Sequence, residues 1–374
     1  MEQVKIEKLI YGGDGLARSE NNKVVFIPHV LPNELVNCKT IEEKKDFVRS
    51  KIIKILEPSP LRVQPKCKHF YTCGGCHWQY IHINAQRNFK KEIVQEMLKR
   101  QIKQTLPDIV IENKNQNEHG WYYRHSVKFQ VLHNDSGHSL LGFYDKEGKK
   151  IEPIEICDIL HPVLQKAFEY IRSYYHDTYS SSTMYLKKGD SEAILCSDEK
   201  VYQFFCARKE KLQWLSPRSH IEYKINDITL FVGAKDFMQA NLVKNHSMVS
   251  FIGKLLFAQS SKKVFDLYCG NGNLSLPWHD KLKSIKGIDN SESAIFCANK
   301  SVDNIATKHA HYVKVKNRKE FEYAVQENVS KSDTMIIDPP RSGMQFQTDI
   351  LKGSKLNTVI YVSCNPSIFA RDAK

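Results

Sequence analysis

The chain has 374 residues, 41% hydrophobic and 26% charged, a balance that fits a soluble globular protein of two or three domains and excludes a disordered or fibrous one. Lysine and arginine outnumber aspartate and glutamate by 55 to 42; the net charge of +13 suits a phosphate-rich partner, or equally a surface rich in lysine. No run approaches the roughly 18 apolar residues of a membrane span, the opening MEQVKIEKLI lacks the apolar stretch of a signal peptide, and a cytoplasmic protein without a membrane partner is the default expectation.

Residues 1–56 predict an all-β module. The segments VKIEKLI, VVFIPHV and ELVNCKT are short and are separated by turn material such as Gly12-Gly13-Asp14-Gly15 and Leu31-Pro32-Asn33, the pattern of a small barrel. A proline-bearing linker, EPSPLRVQP, ends at Pro65. Three clustered cysteines follow, Cys67, Cys73 and Cys76, with Gly74-Gly75 between the last two. Residues 84–104 predict an amphipathic helix with an approximate stripe of Phe89, Ile93, Met97 and Ile102.

Residues 120–235 return to strands and turns, with a helix over 162–175. Trp121, Tyr122, Tyr123, Arg124, Lys128 and Phe129 fit an RNA-binding surface, because arginine and aromatic faces stack on unpaired bases. They fit a half-buried strand equally well. From Val264 strands and helices alternate: VFDLY, IKGID, HYVKV, TMIID and TVIYVS read as five buried strands, with SESAIFCANKSVDNI a helix among them. Such alternation predicts a parallel α/β sheet.

Three strand ends carry chemistry. The first runs into Asp266-Leu267-Tyr268-Cys269-Gly270-Asn271-Gly272-Asn273, a glycine-rich turn that lets a ligand approach the backbone. It lacks the third glycine of the dinucleotide fingerprint, and its aspartate suits a cationic, amino-acid-bearing cofactor. The second strand ends in Asp289, placed to accept hydrogen bonds from ribose hydroxyls; together the two pieces point to S-adenosylmethionine (SAM). Asp338-Pro339-Pro340 ends the fourth strand in a stiff loop beside which a planar base can lie. Cys364, at the end of the fifth, is a candidate nucleophile. A thiolate adding to carbon 6 of uracil makes carbon 5 nucleophilic enough to take a methyl group, a need that amine methylation does not have.

With these residues in order, the chain resembles the RNA 5-methyluridine methyltransferase family, in its bacterial branch acting on 23S ribosomal RNA. The resemblance rests on FMQAN at 237–241, DLYCGNGNLSLP, GID, DPPRSG, YVSCNPSIFARD and CKHFYTCGGC, and on the N-terminal module, which looks like a TRAM domain. It implies a multidomain α/β protein: an OB-like TRAM β-barrel at 1–58, a central α+β RNA-binding domain with the cysteine cluster at 59–235, and a Rossmann-like SAM methyltransferase domain at 236–374, with the helix at 84–104 packing on the last. It implies Cys364 as nucleophile, and Gln239, Tyr268, Asn273, Asp289, Asn317 and Asp338 around SAM and the target base. Asp289 stands where the family more usually has glutamate. Cys157 matches the fourth ligand beside Cys67, Cys73 and Cys76; spacing alone leaves a four-iron four-sulfur (4Fe-4S) cluster and a zinc ion open, and the resemblance favours the cluster. The target uridine is expected to flip out of any stack. The expected partner is 23S ribosomal RNA, and the expected state a monomer.

The sequence stops ten residues after Cys364, whereas in the family the glutamate that removes the carbon 5 proton lies beyond the nucleophile. The expectation is a methyltransferase domain truncated at its C-terminus. The alternatives are a transfer RNA uridine-C5 methyltransferase and a catalytically impaired RNA-binding relative.

Overall fold

The computed structural model describes residues 2–102, 106–112, 120–133, 139–174, 183–190, 192–197, 201–208, 211–215, 219–344, 348–351 and 354–374. The chain divides into two compact units. One comprises Met1–Gly120, Phe143–Ile154 and Ala373–Lys374; the other comprises Trp121–Gly142 and Glu155–Asp372.

In the first unit β1 (Glu2–Leu9), β2 (Gly15–Arg18), β3 (Val24–Ile27), β4 (Leu35–Glu43) and β5 (Phe47–Glu57) form a closed barrel in the order β1-β2-β3-β5-β4, as the turn-rich sequence predicts. Alternation along each strand turns Val4, Ile6, Ala17, Val25, Ile27, Val36, Cys38 and Val48 inward. The linker is pinned to the barrel by Glu34, whose fully buried carboxylate accepts from Arg62 Nε at 2.7 Å, Leu31 N at 2.8 Å and Ser59 N at 3.0 Å. The predicted helix is α1 (Ile83–Gln101); residues 103 and 104 lie outside the described residues. Its Ala85 and Ile93, with Phe89 and Met97 half-buried, pack with Leu9, Leu31, Phe70, Tyr80 and Ile81 of the same unit.

The second unit begins with β6 (Ser126–His133). The chain passes along β7 (Ser139–Tyr144) into the first unit, adds β8 (Ile151–Pro153) there, and returns at Glu155. After α2 (Pro162–Tyr174) come β9 (Thr183–Lys188), β10 (Ala193–Ser197), β11 (Val201–Arg208) and β12 (Lys211–Leu215), hydrogen-bonded in the order β12-β11-β10-β9-β6-β7. A hairpin follows, β13 (His220–Ile225) and β14 (Ile228–Gly233), then α3 (Leu242–Ala258).

The last part of this unit is the parallel sheet read from the sequence. Its strands are β15 (Lys263–Leu267), β16 (Ser284–Asp289), β17 (Ala310–Lys314), β18 (Thr334–Ile337) and β19 (Thr358–Tyr361), in the order β17-β16-β15-β18-β19. The helices between and after them are α4 (Glu292–Ile305), α5 (Arg318–Lys331), α6 (Thr348–Leu351) and α7 (Pro366–Asp372). All four residues of β18 are buried, as strands covered on both faces must be. Among the described residues no helix is long and apolar enough to cross a membrane.

Candidate active site

Register sets the site. Val313, Ile288, Leu267, Ile337 and Tyr361 form one row across the sheet. One residue further, at the carboxyl ends of three adjacent strands, stand Asp289, Tyr268 and Asp338. With strands about 4.8 Å apart, the parallel ladder brings these side chains to one edge, where ligands bind in open α/β sheets. The ladder runs slightly past the strands: Asp338 N donates to Leu267 O at 3.3 Å and Val362 N to Ile337 O at 2.8 Å.

The glycine-rich turn after β15 is shaped by positive φ at Tyr268 (60°), Gly270 (53°) and Gly272 (79°). Gly270 N donates to Asp289 Oδ2 at 2.9 Å, and Ser291 N to Asp289 Oδ1 at 2.8 Å, so the Asp289 carboxylate joins the first two loops and keeps further lone pairs. A Cβ on Gly287 would lie 2.2 Å from Tyr312 Cδ1, so only glycine lets that ring pack there. The Tyr268 ring packs against Phe321 at 5.2 Å, and burial pushes its phenol up to about 12.

Asn273 is held from the far side of the turn. It exchanges two amide hydrogen bonds with Asn245 of α3, at 2.7 and 2.8 Å, and its Oδ1 accepts from Tyr223 OH at 3.2 Å. Asn271 adds bonds to Tyr223 OH and Phe231 O, so the hairpin and α3 together fix the loop.

Asp266, at the end of β15, is buried and accepts a 2.5 Å bond from Ser275 Oγ, which also contacts Tyr312 OH at 2.8 Å. Its other oxygen, Oδ1, is buried with no hydrogen-bond partner. Burial pushes its carboxyl up to about 7 against the Ser275 bond, with Asp338 and Asp289 adding to the rise. Burial alone pushes Asp338 up to about 6. Three neighbouring carboxylates, one with an unused buried oxygen, make an edge that fits a cationic ligand such as a sulfonium compound bearing an amino group.

Gln239 is half-buried in the stretch between the hairpin and α3, with Phe237 76% exposed and Met238 buried. Asn241 caps α3, its side chain accepting from Lys244 N at 3.0 Å. Asn317 is exposed and caps α5 in the same manner, accepting from Glu320 N at 3.0 Å and donating to Glu320 Oε1 at 3.2 Å. Its side chain is therefore engaged in a reciprocal cap.

Cys364 lies in the turn from β19 to α7. Ser363 Oγ accepts from Asn365 N at 3.1 Å, and Asn365 Oδ1 accepts from Ser367 N at 3.1 Å, so the cysteine is carried between two local caps. It is exposed, whereas Cys38, Cys196, Cys269 and Cys297 are buried. Burial raises the thiols of Cys269 and Cys297, the second to about 12, which leaves those two unreactive.

The segment opening β6 lies beside Gln239. Arg124 N donates to Ile159 O at 2.8 Å, His161 N to Arg124 O at 2.9 Å and His125 N to Ala240 O at 2.7 Å, while Arg124 also bridges Asn241. The Arg124 Nε is buried without a hydrogen-bond partner. Tyr122 and Lys128 are exposed, but Phe129 is core, edge-on to Phe168 at 5.3 Å. Of the six residues put forward for that surface, Phe129 is thereby assigned to the core.

Cys67, Cys73 and Cys76 are half-buried cysteines of the first unit, and Cys157 is a half-buried cysteine of the second. Gly74 is required by close approach: its N donates to Tyr144 O at 2.8 Å, and a Cβ would stand 2.6 Å from Asp145 O. Burial pushes the Cys73 thiol up, against a hydrogen bond from the Gly75 backbone, and charge on Cys76 and Cys67 adds to the rise. The donor chemistry fits thiolate ligation of iron or zinc. Among the described residues, however, no three potential ligands are gathered into a ready-made metal site.

Residues 207–374 match the family model for tRNA (Uracil-5-)-methyltransferase, and residues 2–53 match the TRAM domain. A 23S rRNA (uracil(1939)-C(5))-methyltransferase RlmD of Vibrio vulnificus is 30% identical, over 100% of this chain and 89% of that protein. The protein of that name from Chromohalobacter salexigens is 28% identical, over 99% and 82%. The crystal structure of Pyrococcus abyssi tRNA (uracil-54, C5)-methyltransferase in complex with S-adenosyl-L-homocysteine shares the fold, with a TM-score of 0.71 at 20% identity over 99% of this chain and 92% of that one. On sequence likeness along its whole length, the chain belongs to the RNA (uracil-5-)-methyltransferase family, with an N-terminal TRAM domain.

Proposed function

We propose that the protein methylates carbon 5 of a uridine in 23S ribosomal RNA, using SAM. The observation that carries this reading is the placement of an exposed thiol, Cys364, at the same sheet edge as the acidic cofactor turn. The ribosomal substrate follows the relatives named above. Bound SAM supplies an electrophilic methyl group. Tyr268, Asp289 and Asp338, which follow one row of the sheet, would hold it, together with Asn273 of the same turn, Gln239 of the stretch before α3, and Asn317, which caps the helix after β17. Cys364 would add as thiolate to carbon 6 of the flipped uracil, forming a carbon–sulfur bond and an enolate; carbon 5 would take the methyl group as the sulfur–methyl bond breaks, the bonding pair staying on the sulfur of the departing thioether. A base then removes the carbon 5 proton, and the electron pair expels the thiolate.

Nucleoside mass spectrometry of 23S ribosomal RNA from a deletion strain tests this. The expected result is loss of 5-methyluridine, restored by the wild-type gene and not by Cys364→Ala, whose activity should fall by more than about 10⁴-fold. Unchanged 5-methyluridine in the deletion strain, with no second enzyme compensating, would sink the reading.

The cysteine set supports a separate proposal, a 4Fe-4S cluster on Cys67, Cys73, Cys76 and Cys157 with a structural role. Its support is the donor chemistry of the four cysteines, together with the family resemblance of the segments that carry them. Protein purified without oxygen should be brown, with about four irons and four sulfides per chain. Colourless protein with one zinc per chain would replace the cluster by the alternative metal.

A further inference from the structure

Asp338 and Cys364 belong to different loops, one after β18 and one after β19, and beyond Val362 the sheet no longer joins them. Asp372, at the far end of α7, does. Its side chain is 2% exposed. Oδ2 accepts from Met344 N at 2.7 Å and from Tyr361 OH at 2.6 Å; Oδ1 accepts from Arg371 Nε at 2.8 Å. Arg371 Nη2 bonds the same Oδ1 at 2.5 Å and reaches Ser342 O at 2.9 Å. Gly343 lies beneath, with φ 76°, where a Cβ would stand 2.3 Å from Ile368 Cγ2 and 2.4 Å from Asp372 Oδ2. One carboxylate thus fastens the end of β19 and two points of the Asp-Pro-Pro loop to the last turn of α7. At the other end of that helix, a strut about 10 Å long, stands Cys364.

We propose that Asp372 is a positioning residue that sets where the Cys364 thiolate stands relative to Asp338 and the bound base. The inference rests on the uracil methylation proposed above. Asp372 touches neither reacting atom; it acts through α7 on one side and Gly343–Met344 on the other. Its bonds to Met344, Tyr361 and Arg371 outweigh burial, the largest single influence, and keep the carboxyl below its ordinary range. The carboxylate therefore grips as an anion; an amide there has a single accepting oxygen and keeps either the Arg371 bonds or those from Met344 and Tyr361, not both sets.

The test uses the full chain with Asp372→Asn and, separately, Tyr361→Phe. Three quantities are measured: the rate of covalent adduct formation with SAM and a 5-fluorouridine-substituted fragment of 23S ribosomal RNA, SAM affinity, and alkylation of Cys364 by iodoacetamide. Misplacement by about an ångström predicts an adduct rate about 100-fold lower for Asp372→Asn, and the loss of one hydrogen bond predicts about tenfold for Tyr361→Phe. SAM affinity and alkylation should stay at wild-type values, because the thiol and the cofactor turn are untouched; a merely structural loss would move all three together. Adduct formation at the wild-type rate in Asp372→Asn overturns the proposal, as does a parallel fall in all three quantities. If Asp372→Asn does not fold, Tyr361→Phe decides alone, and a wild-type rate there overturns it. A wild-type protein that forms no adduct defeats the underlying uracil reading instead.

Discussion

At the residue scale, the acidic edge makes pH a probe of the cofactor site. Asp266 and Asp338 have folded-state values of about 7 and about 6, both above the ordinary carboxylate value of 3.8. A carboxyl raised by folding binds protons that the unfolded chain has released, so it lowers stability as pH climbs from about 4 to about 7 and adds no further change above that. A cationic ligand has the opposite preference, since it favours the ionised pair. SAM affinity is therefore expected to rise with pH through 6 and 7 and then level off. Below the shifted values it should fall by about tenfold per pH unit for each group that must ionise. Calorimetric titration between pH 5.5 and 8 measures this, and Asp266→Asn should flatten the upper part of the curve. A SAM affinity that is flat or falls with pH in the wild-type protein would show that these carboxylates do not face the cofactor.

At the element scale, the strands were legible and the braces between them were not. VFDLY and TMIID read as strands because most of their side chains are apolar, the mark of strands covered on both faces; the barrel strands read through alternation and turn residues. Asp289, Asp338 and Cys364 followed as strand-end residues, because a parallel sheet puts all its carboxyl ends on one edge. What pairs across long stretches of chain leaves no periodic trace. The Asn273–Asn245 exchange joins residues 28 positions apart, and the Tyr361–Asp372 bond depends on how α7 folds back. Asn317 is different, because Asn317-Arg318-Lys319-Glu320 has the spacing of a reciprocal helix cap, a local signal that could have shown its amide to be occupied. Phe129 was ambiguous for a physical reason. A strand of alternating aromatic and charged residues reads the same way whether its aromatic face meets RNA or α2, and only the packing on Phe168 decides.

At the scale of the whole molecule, the net charge of +13 and the substrate proposed above belong to one argument. Each lysine or arginine that neutralises a phosphate releases a counterion, so the logarithm of affinity falls with the logarithm of salt, by about 0.7 per contact on single strands. A surface merely rich in lysine would give the same net charge with no particular residue mattering. Arg124 separates the two cases. It is fixed by backbone bonds to the segments carrying Ile159 and Asn241, it lies next to the stretch holding Gln239, and its Nε is buried without a partner. A buried donor left unused is costly unless something completes it, and the residue is only half-buried, so the rest of its guanidinium is the group that could meet an RNA phosphate. Arg124→Ala should therefore weaken RNA binding at every sequence tested and make the salt slope shallower by about one contact, with SAM affinity unchanged. Filter binding of a 23S ribosomal RNA fragment across a salt series gives both numbers. If affinity drops at one salt concentration but the slope is that of the wild type, Arg124 braces the β6 segment and does not meet phosphate. If neither changes, the basic character of the chain is diffuse, and RNA is held by other residues.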